Sequence, residues 1–320
     1  MADPQSRSAL HYLLVYLKGV GMGAADVVPG VSGGTVAFIS GIYDELISSI
    51  RRVGPEMVQV LFKQGFAAFW RYSNASFLLS LVLGVFTSLL TLSKVVGFLL
   101  EQYPLPLWAF FFGLIVGSIV FLLRQHRPRS LALGVCFVVG TAVALGIAEI
   151  PTQQLQGTLP VMFFAGALAL CAMILPGISG SFIMLLLGLY PVYIEALKTL
   201  DVVVLAVFIS GGLLGLLSFS RLLSWLLHNL HEQTVVTMTG FLLGSLVMIW
   251  PWRNATEMVV SESGKPYFLA FENVLPGQYS ALTAQDPQTL LCLCAMAVGL
   301  VLVLGLEWLG HRMRGASREV

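Results

Sequence analysis

Long apolar segments separated by short polar loops dominate the pattern of the chain. A helix that crosses a bilayer needs about 20 apolar residues, because it rises only ~1.5 Å per residue. The segments of about this length cover residues 76–100, 105–123, 131–150, 203–228, 234–252 and 289–309. In lipid, a helix satisfies its own backbone N–H and C=O groups. The pattern therefore predicts an all-α polytopic membrane protein.

Two further apolar stretches, residues 10–50 and 158–197, are interrupted by a Pro-Gly pair. The interrupted parts read PGVSGGTVAFISGIY and PGISGSFIMLLLGLY. Because proline and glycine do not propagate a helix, each stretch predicts a re-entrant hairpin, in which two short helices enter the membrane and return to the same side. Lipid offers no hydrogen bonds, so such a break must be enclosed by protein or line a wet cavity. The predicted hinge residues are Pro29, Gly30, Pro176 and Gly177.

Internal alignment divides the chain into two similar halves. A shift of 147 residues superimposes the first interrupted part on the second, and a shift of 127 pairs Gly84 with Gly211 and Lys94 with Arg221. The two shifts differ because only the first half contains residues 51–74. This mixed apolar and basic segment is typical of a helix that lies on the membrane surface.

Each half then forms one repeat, residues 1–150 and residues 151–320, with a re-entrant hairpin and about three crossings. An odd number of crossings inverts the second repeat relative to the first. Transporters with inverted repeats bind their substrates at broken helices near the middle of the membrane. The loop 253–288 of the second repeat is predicted to be a partly ordered external cap without a recognisable motif.

Composition and charge narrow the class of protein and predict its orientation. Hydrophobic residues make up 57% of the chain and charged residues only 10%, against about 25% charged in soluble domains. The loop 124–130 is rich in arginine, whereas the predicted outer parts contain only Lys198, Arg253 and Lys265 as cations. By the positive-inside rule, this loop and both termini are cytoplasmic.

Other functional classes find little support in the sequence. No basic tract with interleaved aromatic residues indicates nucleic-acid binding. The four cysteines lie in apolar segments, and their spacing indicates neither a disulfide framework nor a metal site. We therefore predict no nucleic-acid partner, no metal and no cofactor.

The residues that follow each Pro-Gly pair are candidates for substrate binding. They are Ser32, Gly33, Gly34 and Thr35 in the first repeat and Ser179, Gly180 and Ser181 in the second. Free N–H groups at the start of a helix, its positive dipole end and small hydroxyl groups together bind anions, most often a phosphate. The alternative is that these small residues only allow the helices to pack closely.

Three charged residues in apolar segments are further candidates. Lys94 and Arg221 occupy matched positions, and cations in lipid usually face an internal path or a partner. We expect them to bind an anionic head group; alternatively, their long side chains extend to the nearer membrane interface. Asp26, which aligns with Met173, is a candidate for proton coupling. The alternative for Asp26 is that it accepts hydrogen bonds from N–H groups of the broken loop.

With its doubled Pro-Gly-[Val/Ile]-Ser-Gly motif and the paired GIY and GLY, the chain resembles the domain-of-unknown-function 368 family over nearly its whole length. PopT-type members of this bacterial family are implicated in returning undecaprenyl phosphate across the cytoplasmic membrane. The resemblance implies a lipid flippase in the bacterial inner membrane that recycles undecaprenyl phosphate for peptidoglycan and the cell envelope. It implies the anionic polyprenyl lipid and membrane lipids as partners. Self-association into a homo-oligomer stays an open question at this point.

Two other functions stay open as well. Undecaprenyl pyrophosphate phosphatases also resemble inverted repeats with re-entrant hairpins, but Gly33 and Gly180 replace the arginine of their Pro-Gly-x-Ser-Arg-Ser motif. Without that cation, or acids to hold a metal, phosphate hydrolysis is poorly served, so we predict that the chain is not an enzyme. The other alternative is a secondary transporter of a small anion. The expected mechanism is alternating access, with phosphate held at the paired helix starts.

Overall fold

The computed structural model describes residues 7–27, 31–260 and 266–316, so the predicted hinge residues Pro29 and Gly30 lie outside the described part. The first half contains α1 (Ala9–Asp26), α2 (Gly33–Ile39), α3 (Tyr43–Arg51), α4 (Pro55–Gln64), α5 (Phe66–Tyr72), α6 (Ala75–Gln102), α7 (Pro104–Gln125) and α8 (Leu131–Ala148). The second half contains α9 (Leu159–Ile174), α10 (Gly180–Leu186), α11 (Tyr190–Thr199), α12 (Val202–Asn229), α13 (His231–Ser245), β1 (Arg253–Val260), β2 (Pro266–Asn273), α14 (Pro276–Thr283) and α15 (Thr289–Ala316).

Within the described residues, five helical segments are long and apolar enough to cross a membrane. They are Ala75–Leu92, Pro104–Gln125, Leu131–Ala148, Val202–Asn229 and His231–Ile249. Helices α10 and α11 meet this criterion together but bend by 113° at their junction, and they make a sixth span if taken as one. α9 and the Thr289–Gly305 part of α15 are apolar but shorter. The chain is thus a mainly helical membrane protein, as predicted.

Two polar segments differ in detail from the sequence prediction. Residues 51–74, predicted as one surface helix, contain the two helices α4 and α5, which are separated by Gly65 with a φ angle of 82°. Glycine adopts this conformation without strain, so it ends α4 cleanly. The predicted loop 253–288 contains an antiparallel hairpin of β1 and β2, followed by α14. Both strands contain β-branched or aromatic residues, which favour strands. The chain is therefore mainly but not wholly α-helical.

The chain forms two compact units, and each unit takes segments from both sequence halves. Unit 1 consists of Met1–Gly97 and Thr152–His231. Unit 2 consists of Phe98–Pro151 and Glu232–Val320. Both helix breaks therefore belong to unit 1, whereas the arginine-rich loop and the β-hairpin belong to unit 2.

Glycines mark the helix crossings of unit 1. α1 crosses α6 where Gly19 and Gly84 each touch the backbone of the other helix, and a Cβ atom on either would overlap a carbonyl oxygen. α9 crosses α12 in the same way, through Gly166 and Gly211. The shifts of 147 and 127 residues found in the sequence relate the second crossing to the first. Small residues of this kind let membrane helices approach closely.

The same kind of crossing occurs twice in unit 2. α7 crosses α15 through Gly113 and Gly299, and α8 crosses α13 through Gly140 and Gly240. In each of these four positions a Cβ atom would overlap a carbonyl oxygen of the partner helix. Each pair joins one helix from the first sequence half with one from the second.

A half-buried cation fixes the β-hairpin to α7 in unit 2. The guanidinium carbon of Arg253 lies 4.2 Å from the centre of the Trp108 ring and 4.9 Å from that of Phe271. The same group donates a hydrogen bond of 2.8 Å to the carbonyl of Met248. Burial lowers the pKa of Arg253 to about 10, so the group stays charged at neutral pH. A desolvated cation gains about 2 kcal/mol from an aromatic face.

Candidate functional site at the two helix breaks

The first break lies between α1 and α2. Ser32 caps α2, and its hydroxyl oxygen accepts a hydrogen bond of 3.1 Å from the N–H of Gly34. The N–H of Gly33 donates to Oδ1 of Asp26 at 2.7 Å. A carboxylate therefore occupies the donor predicted to be free for an anion. Asp26 makes the contact that the sequence left open as the alternative to proton coupling.

The second break repeats this cap without the acid. Gly177 has a φ angle of 95°, a left-handed conformation that favours glycine. Ser179 caps α10 by accepting a hydrogen bond of 3.2 Å from the N–H of Phe182. The hydroxyl oxygens of Ser179 and Ser181 lie 3.2 Å apart. Small polar side chains thus surround the start of α10, as they do at α2.

Hydrogen bonds join the two breaks to each other within unit 1. The hydroxyl of Ser32 donates to the carbonyl of Met173 at 3.1 Å. The N–H of Gly177 donates to the hydroxyl oxygen of Thr35 at 2.8 Å. Met173 lies in the last turn of α9, whose carbonyls have no partner inside the helix. The first break therefore satisfies backbone groups that the second break leaves open.

The phenol of Tyr43 makes the third of these connections. Its hydroxyl is buried and donates to the carbonyl of Ile174, the last residue of α9, at 2.9 Å. The sequence analysis did not single out Tyr43 as a site residue. Its alignment with Tyr190 was the available signal, but alignment does not reveal the carbonyl that the hydroxyl reaches.

Close approach of the backbones explains the glycines at the breaks. A Cβ atom on Gly34 would lie 2.5 Å from the carbonyl oxygen of Met173, and one on Gly33 would lie 2.5 Å from Oδ2 of Asp26. A Cβ atom on Gly180 would lie 2.8 Å from the carbonyl oxygen of Ala169. These positions serve close packing, which was the open alternative to anion binding.

The far ends of the two broken helices differ in what covers them. At the end of α2, the ammonium of Lys18 donates to the carbonyl of Ser40 at 2.7 Å. At the end of α10, the loop before α9 covers the carbonyls, and the N–H of Gln153 donates to Leu186 at 2.7 Å. The sequence analysis did not single out Lys18 as a site residue. A cation in the middle of an apolar helix was the signal that it has a local partner.

The two predicted cations, Lys94 and Arg221, are both exposed. Lys94 is exposed near the end of α6, and within the described residues it has no hydrogen-bond or ion-pair partner. Arg221 is exposed on α12, and its guanidinium lies beside Gly54 in the turn between α3 and α4. Neither side chain makes a hydrogen bond or ion pair with a break residue in the part of the chain that the structure describes.

The chemistry available at the breaks is binding by N–H groups and hydroxyls. Among the described residues, no group of three or more His, Cys, Asp and Glu side chains could hold a metal ion. The single carboxylate, Asp26, is already hydrogen-bonded to Gly33. An arrangement of this kind can exchange one anion for another, because the same donors serve a carboxylate or a phosphate.

Comparison with known proteins identifies relatives along most of the chain. The model of a family described as VCA0040-like, undecaprenyl phosphate translocase-like, matches residues 22–267. A Vibrio cholerae protein named polyprenyl-phosphate transporter is 46% identical over 298 residues, 93% of this chain and 97% of that protein. A Staphylococcus aureus protein of the same name is 32% identical over 253 residues, 73% of this chain and 85% of that protein. No solved structure matches the chain significantly.

Proposed function

We propose that this chain, which belongs to the VCA0040-like family of undecaprenyl phosphate translocase-like proteins, moves a polyprenyl phosphate across a membrane. The names of two relatives supply the substrate class and describe transporters rather than enzymes. The structural observation that carries the proposal is the pair of capped helix starts joined by hydrogen bonds in unit 1. They offer N–H and hydroxyl donors for a phosphate head group.

The proposed architecture is a pair of inverted repeats, each with a re-entrant hairpin. Both broken helices have seven residues and a serine cap, and both are followed by a glycine with positive φ, 72° at Gly41 and 71° at Gly188. The 113° bend between α10 and α11 fits a chain that turns back inside the membrane. The glycine crossings support the repeat because the same two shifts relate both crossings of unit 1.

In the proposed site, the phosphate takes over donors that now serve protein groups. It would accept from the N–H groups of Gly33 and Gly34 in place of Asp26 and Ser32. The matching group at the second break is Ser179, Gly180 and Ser181. Hydroxyl groups rotate freely, so the serines and Thr35 can donate to an anion after the breaks separate. Alternating access then requires that the hydrogen bonds between the breaks open.

Asp26 gives this exchange a natural link to protons. A carboxylate and a phosphate that compete for the N–H of Gly33 repel each other, and protonation of Asp26 removes that repulsion. An interior-negative membrane potential opposes inward movement of an anion by about 2.3 kcal/mol per charge and 100 mV. Movement of a proton with the lipid would offset part of this cost.

Lys94 and Arg221 are proposed to act at the two ends of the path rather than at the breaks. Their exposure fits cations that meet a head group as it enters or leaves. The proposed membrane is the bacterial cytoplasmic membrane, with both termini in the cytoplasm. The predicted cytoplasmic loops contain more lysine and arginine than the predicted outer loops, and this difference supports the orientation. The polyprenyl tail would stay in the bilayer while the head group crosses.

The decisive experiment follows a labelled lipid in proteoliposomes that contain the purified protein. Short-chain polyprenyl monophosphate, polyprenyl pyrophosphate and neutral polyprenol carry a fluorophore that a membrane-impermeant reductant quenches only in the outer leaflet. We expect fast exchange between leaflets for the monophosphate alone, without release of inorganic phosphate. Release of phosphate from the pyrophosphate would indicate the enzyme instead. Equal exchange of all three lipids, or of none, would contradict the proposal.

A further inference from the structure

The arginine-rich loop between α7 and α8 borders a cavity in unit 2. Its volume is about 160 Å³, and its polar lining includes His126, Arg127, Arg129 and Glu232. Leu133 and Val236 provide its apolar part. One ordered water needs only ~10–15 Å³, so the cavity has room for a tetrahedral oxyanion together with water.

The two arginines are held on the same short turn. The N–H of Arg129 donates to the carbonyl of Arg127 at 2.8 Å, with Pro128 between them. Proline fixes its own φ angle, so the turn limits how far the two side chains can separate. Within the described residues, neither guanidinium has a hydrogen-bond or ion-pair partner. Two guanidinium groups therefore line one cavity, and within the described residues neither is bound to a protein carboxylate.

The other titratable groups of the lining define the charge of the site. Glu232, in the first turn of α13, is the only acid, and there it also meets the positive end of that helix. His126 adds a third basic group to the lining. The cavity thus has an excess of positive charge. The positive-inside rule explains arginines in such a loop, but it does not require that they line a common cavity.

We propose that this cavity binds a phosphate group with three terminal oxygens, either as free phosphate or as the phosphate monoester of a lipid. A guanidinium group binds two oxygens at once. Three terminal oxygens offer a different pair to each of the two guanidinium groups, whereas the two terminal oxygens of a phosphodiester form a single pair that both groups would have to share. The monoester or the free ion provides these three oxygens. The site is separate from the helix breaks, and the proposal does not depend on transport.

Binding of inorganic phosphate to the full-length protein in detergent tests the site directly. Titration calorimetry compares the wild type with Arg127→Gln, Arg129→Gln and the control Arg124→Gln. Arg124 is exposed in the last turn of α7 and does not line the cavity. We expect about tenfold weaker binding for either cavity variant, since each loses charge-assisted hydrogen bonds, and a change below about twofold for the control. Glu232→Gln should tighten binding.

A second arm identifies the source of the phosphate. Proteoliposomes with 10-fold excess of a lipid phosphate monoester are compared with ones that contain a phosphodiester lipid of similar charge, and free phosphate is titrated into both. If the monoester lipid is the ligand, it abolishes the binding of free phosphate to the wild type, whereas the phosphodiester does not. If the free ion is the ligand, its binding is the same in both membranes. Phosphate binding that is equally strong in the wild type and the double variant Arg127→Gln/Arg129→Gln, or absent from both in detergent and in membranes, would overturn the proposal.

Discussion

The two helix breaks have a similar backbone conformation but differ in their side-chain chemistry. Both have a serine cap, a seven-residue helix and a glycine with positive φ. At matched positions, however, the first break has Lys18, Asp26 and Thr35, where the second has Ala165, Met173 and Phe182. The second break contributes mainly backbone carbonyls and N–H groups to the contact. The two repeats therefore have the same backbone arrangement, but the charged side chains are concentrated at the first break.

The comparison extends to the turns after the broken helices. A Cβ atom on Gly41 would meet nothing within 4 Å, whereas one on Gly188 would overlap the carbonyl oxygen of Gln153. The loop before α9 thus covers the second turn, and the first turn is open. The difference suggests that one end of the site is more accessible than the other.

The largest effect is expected from Gly34→Val, which adds a side chain where the two breaks are in close contact. Its side chain would collide with the carbonyls of Met173 and Ile174, 2.5 and 2.8 Å from the first added atom. Overpacking typically costs ~1–3 kcal/mol of unfolding free energy, and we expect transport to fall below detection. Thermal unfolding and leaflet exchange measure both effects.

Two controls sharpen this prediction. Gly146→Ala adds an atom in α8 where nothing lies within 4 Å and should change neither quantity. Ser181 already has a side chain at the position matched to Gly34, so Ser181→Ala should keep the fold. A wild-type transport rate in Gly34→Val would mean that the close contact between the breaks has no role.

A smaller effect, confined to transport, is expected for Asp26→Asn. The amide oxygen of asparagine can still accept from the N–H of Gly33, so the thermal stability should change little. Because the side chain can no longer carry a proton, we expect transport about tenfold slower, ~1.4 kcal/mol in activation free energy, and insensitive to a pH gradient. Met173→Leu, at the matched position, is the control. An unchanged response to the gradient would remove Asp26 from the coupling scheme.

Tyr43→Phe tests one hydrogen bond between the breaks. The buried carbonyl of Ile174 loses its donor, which should cost ~1–3 kcal/mol of unfolding free energy. Tyr72→Phe, whose hydroxyl makes an exposed contact with Glu56 at 3.3 Å, is the matched control and should be close to neutral. Equal stability of the two variants in chemical denaturation would show that the phenol of Tyr43 contributes only packing.

The smallest effect is expected for Lys18→Met. The variant keeps the length of the side chain but removes the donor to Ser40 at the end of α2. A cation at a helix C-terminus contributes ~0.3–1 kcal/mol, so thermal stability should fall slightly. Ala165→Met, at the matched position of α9, introduces a similar chain into a buried site and should be more harmful. The opposite order would contradict the assignment of Lys18 as a cap.

Much of the fold follows from the sequence because its signals are local. Apolar length defines the crossings. A Pro-Gly pair followed by serine defines each break, and the serines are caps because their oxygens reach N–H groups two or three residues away. The β-hairpin was missed because apolar length does not reveal it: β1 and β2 are short strands of mixed polar and apolar residues in a segment predicted as a loop.

Contacts over long distances could not be predicted in the same way. Tyr43 and Ile174 are 131 positions apart, and Thr35 and Gly177 are 142 apart. Which carbonyl a hydroxyl reaches is set by the packing of four helices, and the sequence contains no local sign of it. Glycines at the crossings are visible in the sequence, but their partners become known only from the structure.

The glycine crossings also have a mechanical consequence. At Gly19 and Gly84, as at Gly166 and Gly211, two backbones lie so close that neither helix can slide or rotate along the other without a clash. Each helix pair, α1 with α6 and α9 with α12, should therefore move as one rigid unit. Any large motion of unit 1 then has to bend the short segments between these helix pairs, where the left-handed glycines lie. The range of that motion is set by how far the φ and ψ angles of those few residues can change.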